Sequence, residues 1–155
     1  MKSVTQSGIT MEQIYETDFA LWIDETIKQL KKQELEQIDW ENLIEEIEDL
    51  GREQRRKVNS FLRQLFVHLL IYQYWTTERF YCGNGWKGEI SNFRAELDEL
   101  LLSKTLLNYL GKEFNNIYLK ARIIAINKTG LSPDIFPETC PYTVEKVLDY
   151  EFFPD

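Results

Sequence analysis

The chain has 155 residues, an apolar fraction of 43% and a formal net charge of −8. This length suits one domain with a single core, and the balance of apolar and charged residues excludes an intrinsically disordered protein. The negative charge disfavours binding to nucleic acid or to an anionic membrane, because phosphate binding depends on clustered lysine and arginine.

The cysteines and the N-terminal residues bear on the compartment. Cys82 and Cys140 lack the CxxC spacing of a zinc site, and two cysteines are too few for a disulfide-rich secreted scaffold. Residues 1–15 contain no apolar stretch of the kind that a signal peptide needs, and no run of about 18 apolar residues is present to span a membrane. We expect reduced thiols, a cytoplasmic protein and no membrane contact.

A single helical domain is predicted over residues 15–155, after a flexible N-terminal segment at residues 1–14. The first helix covers TDFALWIDETIKQLKK, residues 17–32, in which apolar residues recur three or four positions apart. Thr17 or Asp18 can accept a hydrogen bond from the free N–H groups at the start of this helix, so either residue can be its N-cap.

A second helix is predicted to begin after Asp39, which can act as its N-cap. At about 100° per residue, the apolar residues on both sides of Gly51 share one stripe of the helical wheel. We therefore predict one helix of about 35 residues, with or without a kink at Gly51, that ends near Trp75. The stripe consists of Leu43, Ile47, Leu50, Val58, Phe61, Leu65 and Tyr72.

The glycine-rich sequence CGNGWKG, residues 82–88, predicts the main loop of the chain. It matches neither the Walker pattern nor a dinucleotide-binding fingerprint, so it gives little support to a phosphate site. A third helix is predicted after this loop, because the apolar residues from Trp86 to Leu101 again recur at helical spacing.

A fourth helix is predicted between Ser103 or Thr105, either of which can cap it, and Gly130, which can end it. All four prolines lie beyond residue 132, which predicts an extended C-terminal segment with one short helix from about Thr143. The predicted fold class is all-α: an antiparallel helical bundle of four main helices, one of them long, with a proline-rich C-terminal tail that carries a short helix.

Four carboxylates within residues 45–49 could form a metal or active site, or only a solvated helix face. On the helical wheel Glu45 and Asp49 lie nearly opposite the apolar stripe, whereas Glu46 and Glu48 flank it. We expect Glu45 and Asp49 on the surface, because acidic residues are seldom buried without a partner, and we expect Glu46 to lean inward.

Two arginines, Arg94 and Arg122, flank the apolar stripes of the third and fourth helices. An inward-leaning arginine needs an acidic or carbonyl partner, because its charge loses hydration on burial. We hypothesise that Glu46 pairs with one of these two arginines across the bundle.

His68, the only histidine, lies on the apolar side of the long helix. A di-iron bundle would need a Glu-x-x-His motif, but position 65 is leucine, and a zinc site usually needs further histidine or cysteine ligands. No G-x-S-x-G motif presents a nucleophilic serine. We therefore predict no metal, no cofactor and no catalytic residue, and a hydrogen-bonded core position for His68, with a ligand or general-base role as the alternative.

Several motifs together resemble a known family. They are the long segment from YETDFALW to LLIYQY, the tryptophan and arginine of WKGEISNFR, the sequences YLKAR and TGL, and FPETCPYTVEKVLD. With them the chain resembles, from Tyr15 to Pro154, the bacterial domain of unknown function 29, a family frequent in cyanobacteria. The segment TTERFYCGNGWKG departs from that pattern, being longer and richer in glycine. The resemblance implies an all-helical fold and no established activity, substrate or catalytic residue.

These observations favour an acidic, non-enzymatic cytoplasmic protein that binds a protein partner or a second copy of itself, in the manner of an adaptor or an antitoxin. A basic partner would suit the net charge of −8. The alternative is a metal-binding or enzymatic bundle with a polar site around His68, to which Glu46, Arg94 and Arg122 could contribute. Neither nucleic acid nor a membrane is expected as a partner.

Overall fold

The fold is all-α, as predicted. A computed structural model describes residues 8–155, and these residues form helices without any β-strand. Two compact units divide the chain: the first unit is Met1–Arg52 and the second unit is Glu53–Asp155. The helices are α1 (Met11–Thr17), α2 (Phe19–Lys32), α3 (Trp40–Tyr74), α4 (Thr76–Leu101), α5 (Lys104–Thr129) and α6 (Val144–Leu148), with 3₁₀ turns at Leu35–Gln37 and Pro133–Ile135.

Four of the predicted helix ends are set by the capping residues that the sequence indicates. The side chain of Asp18 accepts a hydrogen bond from the Leu21 N–H and caps α2. Ser103 and Thr143 cap α5 and α6 in the same way, each through a backbone N–H three residues ahead. Gly130 ends α5 with a φ of 67°, in the left-handed region that a residue without a Cβ adopts without steric cost.

The long helix is also confirmed. Helix α3 contains 35 residues and runs without interruption through Gly51, so the phase of the apolar stripe correctly predicts one helix in place of two. It ends at Tyr74, next to the predicted end at Trp75.

Helix α1, Met11–Thr17, is not predicted: it begins inside the segment 1–14 that is expected to be flexible, and the first predicted helix, residues 17–32, corresponds to α2. Thr10 and Gln13 form a reciprocal capping box, in which each side chain accepts a hydrogen bond from the backbone N–H of the other residue. Met11 and Ile14 are buried against Trp22 and form the small core of the first unit. The remainder of the predicted flexible segment, residues 1–7, lies outside the described residues.

The predicted loop at residues 82–88 is wrong, because these residues lie inside α4. The chain turns instead at Trp75, whose ψ of 63° is not helical. A glycine costs about 1 kcal/mol relative to alanine inside a helix, but the same helix buries Ile90, Phe93 and Leu97 in the core. Burial of these large side chains outweighs the cost of the glycines, so packing overrides the local preference.

The core of the second unit is built mainly from the far half of α3 and from α4 and α5. Phe66 lies at its centre, where the ring makes edge contacts with the rings of Phe114 and Tyr118 at centroid distances of 5.0 and 5.5 Å. Phe136 and Tyr142 of the C-terminal segment are buried in the same core. The proline-rich tail is therefore part of the packed unit. In the described part of the chain, no helix combines the length and the apolar character needed to cross a membrane.

Candidate functional site

An open apolar groove in the first unit is the strongest candidate for a functional site. It has a volume of about 330 Å³ and is lined by side chains of α2 and of the first three turns of α3. The lining residues are Phe19, Trp22, Ile23, Thr26, Ile27, Leu30, Leu43, Glu46, Ile47 and Leu50.

Each wall of the groove is an apolar ridge with helical spacing. Ile23, Ile27 and Leu30 form the ridge of α2, with steps of four and three residues, so they share one face of the helix. The ridge of α3 repeats that spacing with Leu43, Ile47 and Leu50. Ile47 is 59% exposed and Leu50 is 67% exposed, although large apolar side chains at such positions usually face a core.

Buried contacts of Trp22 hold the groove in shape. Its indole Nε1–H donates a hydrogen bond of 3.3 Å to Oδ2 of Asp39, the residue before α3. The Trp22 ring also stacks on Phe19 and makes an edge contact with Tyr15, at centroid distances of 5.6 and 5.1 Å. Because these contacts fix a residue of α2 against the start of α3, the groove is formed before any ligand arrives.

Glu46 lines the groove and is half-buried, as the helical wheel predicts. The Tyr15 hydroxyl donates a hydrogen bond of 2.7 Å to its Oε1. This bond raises the pKa of Tyr15 to about 12, because loss of the phenolic proton would place a second negative charge beside the carboxylate. The groove therefore contains one carboxylate whose position is fixed by a tyrosine.

Thr26 supplies a second polar group to the groove. Its side chain is only 3% exposed, and its hydroxyl oxygen has no hydrogen-bond partner among the described residues. A buried hydroxyl without a partner costs about 1–3 kcal/mol. That oxygen is also closed to solvent, so a ligand in the groove would reach it only after a local rearrangement.

The predicted pairing of Glu46 with an arginine is wrong, because Arg94 uses backbone carbonyls as partners. Arg94 is fully buried; its Nε–H donates to the Val147 carbonyl at 2.7 Å and its Nη2–H to the Phe152 carbonyl at 2.8 Å. Its guanidinium carbon lies 5.4 Å from the centroid of the Phe153 ring. The pKa of Arg94 is lowered, mainly because burial removes water from the charged guanidinium group.

Arg122 also donates hydrogen bonds to backbone carbonyls, at the other end of the C-terminal segment. Its Nε–H donates to the Phe136 carbonyl at 3.0 Å and its Nη2–H to the Pro133 carbonyl at 2.9 Å. The hydroxyl of Tyr118, one turn earlier on α5, donates to the Pro137 carbonyl at 2.6 Å. Both arginines thus satisfy carbonyls of a segment that has few helical hydrogen bonds of its own, which is a structural role.

His68 is half-buried and hydrogen-bonded within its own helix. Its Nδ1 lies 2.8 Å from the Gln64 carbonyl oxygen, so Nδ1 carries the proton and donates. The imidazole makes an edge contact with Phe93 at a centroid distance of 5.1 Å. Burial lowers the pKa of His68, and the charge of Lys128 acts in the same direction; the Gln64 carbonyl and Glu89 oppose them. The neutral form is therefore favoured near pH 7.

The stability of the protein is expected to fall on mild acidification because of His68. The unfolded state takes up a proton near pH 6.5, while the lowered pKa delays protonation of the folded state. The stabilisation is thus present above pH 6.5 and is lost as the pH falls towards the folded-state pKa. Thermal denaturation at pH 7.5 and pH 5.5 should show a smaller fall in Tm for His68→Asn than for the wild type. An equal fall in both proteins would contradict this assignment, since His68 is the only histidine.

Three of the four carboxylates at residues 45–49 face solvent. Glu45, Glu48 and Asp49 are exposed, and Arg52 forms ion pairs with Glu48 and Asp49 on the helix surface. Within the described range 8–155, no group of three or more histidine, cysteine, aspartate or glutamate side chains is arranged to hold a metal ion.

A second cavity, of about 380 Å³, lies in the second unit beside the first turns of α4. Its two cationic groups, Arg79 and Lys87, lie over the ring of Tyr72 at 5.3 and 5.8 Å from the ring centroid. Arg79 also donates to the Tyr72 carbonyl at 3.2 Å. Both cations therefore contribute to local packing, and we assign no ligand to this cavity.

The groove itself is not predicted by sequence analysis. The apolar stripe of α3 correctly identifies Leu43, Ile47 and Leu50 as one face of a helix. Helical periodicity gives the same pattern for a face that is buried in the protein and for a face that awaits a partner. The acidic residues around Ile47 are the one sequence signal of exposure, because charged neighbours favour solvent.

Comparison with known proteins identifies one family. The family described as "Domain of unknown function DUF29" matches residues 14–153. No curated protein and no solved structure matches the chain.

Proposed function

The chain belongs to the DUF29 family, and we propose that it is a non-enzymatic protein–protein interaction module whose apolar groove in the first unit binds the partner. The observation that carries the proposal is the exposure of Ile47 and Leu50 on a groove wall. Contiguous apolar surface of this kind costs free energy in water, at about 25 cal/mol per Å². Such surface is typical of a binding site.

Two further properties of the groove support this function. Its walls are helix faces, and the Trp22–Asp39 hydrogen bond holds them in place, so little ordering is needed when a partner binds. Its polar groups are few, namely Glu46 and Thr26. A largely apolar surface with a small number of positioned polar groups is the usual composition of a specific binding site.

The alternative, a polar catalytic or metal site around His68, has less support. The Nδ1–H of His68 is used by the Gln64 carbonyl, and Phe93 packs against the ring. Arg94 and Arg122 are engaged by backbone carbonyls of the C-terminal segment. These contacts give all three residues a role in holding the fold. We therefore propose an adaptor-like or antitoxin-like protein of the cytoplasm.

The proposal is tested by using the chain as bait in extracts of its own cells. Three baits are compared: the wild type, Ile47→Asp, and Ile123→Asp as the matched control. Ile47 and Ile123 are both helical isoleucines, with 59% and 58% of their surface exposed. A protein that is retained by the wild type and by Ile123→Asp but lost with Ile47→Asp supports the groove. Retention of the same proteins by all three baits would refute it.

A further inference from the structure

We propose that the groove takes a basic amphipathic helix of a partner protein, with apolar residues on one face and lysine or arginine beside them. This inference rests on the proposed function and specifies the chemistry of the partner. Three observations support a basic helical partner: the spacing of the ridges, the negative charge of the first unit, and the Glu46 carboxylate in the groove.

The ridges fit a helix. On each wall the first and last ridge residues, Ile23 and Leu30 or Leu43 and Leu50, are seven positions apart, which is about 10.5 Å along a helix axis. A partner helix of two to three turns covers this length. Its own residues at positions i, i+3, i+4 and i+7 would lie between the two ridges, as in other helix-in-groove complexes.

The net charge of the chain is confined to the unit that contains the groove. Residues 1–52 contain thirteen acidic and five basic side chains, a net charge of −8, whereas residues 53–155 contain thirteen of each. The second unit is therefore neutral overall. A net negative charge on the unit that contains an apolar site favours partners of positive charge and accelerates their association.

The carboxylate in the groove also favours a cationic partner. The Glu46 carboxylate lies on the wall, and the Tyr15 bond occupies only its Oε1. Lysine and arginine side chains carry only donors, so a cationic residue at the edge of the partner helix could donate to the remaining oxygen of Glu46.

A second copy of the chain suits the groove poorly. If two copies met groove to groove, two first units of net charge −8 would come together, and their mutual repulsion would oppose the contact. A partner helix rich in lysine or arginine has no such penalty.

The test is a selection from displayed 16-residue helical peptides. Leucine or isoleucine is fixed at the i, i+3, i+4 and i+7 positions, and the other positions are randomised among Lys, Glu, Gln, Ala and Ser. The full chain is the target, and Ile47→Asp is the counter-target. We expect the selected peptides to contain several times more lysine than glutamate beside the apolar face.

Glu46→Gln then separates charge from packing, because a glutamine oxygen can still accept the Tyr15 hydrogen bond. For a selected lysine peptide we expect a loss of affinity of about tenfold in Glu46→Gln, and a steep fall with ionic strength. A version of the same peptide with Gln in place of Lys should bind the wild type and Glu46→Gln equally.

The remaining outcomes overturn the inference in different ways. Binders that depend on Ile47 but show no excess of lysine would refute the basic partner and leave the interaction module in place. A groove-dependent dimer of the chain in analytical ultracentrifugation would assign the groove to self-association. If no peptide distinguishes the wild type from Ile47→Asp, the helical occupant is wrong. If the baits also show no difference, the proposed function fails as well.

Discussion

Replacing Ile47 by aspartate is expected to weaken partner binding by at least about 30-fold while leaving the fold intact. Full burial of an isoleucine side chain contributes about 1.5–3 kcal/mol, and the aspartate would add a charge to an apolar contact. A loss of about 2 kcal/mol corresponds to the 30-fold change. Because Ile47 is 59% exposed in the free protein, the free energy of unfolding should change by no more than about 0.5 kcal/mol. Titration calorimetry and urea denaturation measure the two effects.

The control for Ile47→Asp is the same change at Ile123, which is as exposed as Ile47 but lies on α5 in the second unit. Ile123→Asp should retain wild-type affinity and wild-type stability. Equal losses of affinity in the two variants would mean that added negative charge, and not the groove, controls binding. A large loss of stability in Ile47→Asp would show instead that Ile47 belongs to the folded core.

Replacing Arg94 by methionine is expected to lower the free energy of unfolding by about 2–4 kcal/mol. The change removes both donors from the Val147 and Phe152 carbonyls, and a buried polar group without a partner costs about 1–3 kcal/mol. Methionine fills much of the same volume, so the loss of hydrogen bonds exceeds the effect of a cavity. For a chain of this length the fall in Tm should be about 8 °C. Arg94→Lys should recover only part of the loss, because an ammonium group cannot form the same two-pronged contact.

Arg56 provides the matched control, since its side chain is 73% exposed and its ion pair with Glu53 is a long one of 3.9 Å. Surface pairs of this kind contribute about 0–1 kcal/mol, so Arg56→Met should unfold almost as the wild type does. If Arg94→Met were as stable as Arg56→Met, the bonds from Arg94 to the C-terminal segment would not contribute to stability.

The helix boundaries that sequence analysis predicts correctly are those set by local chemistry. Asp18, Ser103 and Thr143 cap helices because their side chains satisfy nearby N–H groups, and Gly130 ends a helix because it adopts a positive φ. The length of α3 follows from helical phase, which also depends only on local geometry.

The boundaries that sequence analysis misses are those set by packing. The glycines at 83, 85 and 88 predict a loop, but burial of Ile90 and Phe93 keeps their helix intact. The end of α3 near Trp75 is predicted, but the start of α4 at Thr76 is not, because the glycines place the start of the next helix after residue 82. The residues that accept hydrogen bonds from Arg94 are more than 50 positions away along the chain, and a helical wheel cannot identify partners at that separation.

The groove is partly predictable from the sequence. The apolar stripe that contains Leu43, Ile47 and Leu50 is evident in the sequence, and the same stripe continues to Val58 and Leu65. Val58 and Leu65 are fully buried, whereas Ile47 and Leu50 are mostly exposed. Periodicity reports which residues share a helix face, but only the tertiary structure shows which part of that face is covered.

Photo-crosslinking in the native cell tests most directly whether the groove is the binding surface. A benzophenone-bearing residue is placed at position 47 or, as the control, at position 123, and the cells are irradiated. We expect an adduct between the chain and a different, basic protein from position 47 and none from position 123. An adduct from position 123 alone, or no adduct from position 47, would contradict this expectation.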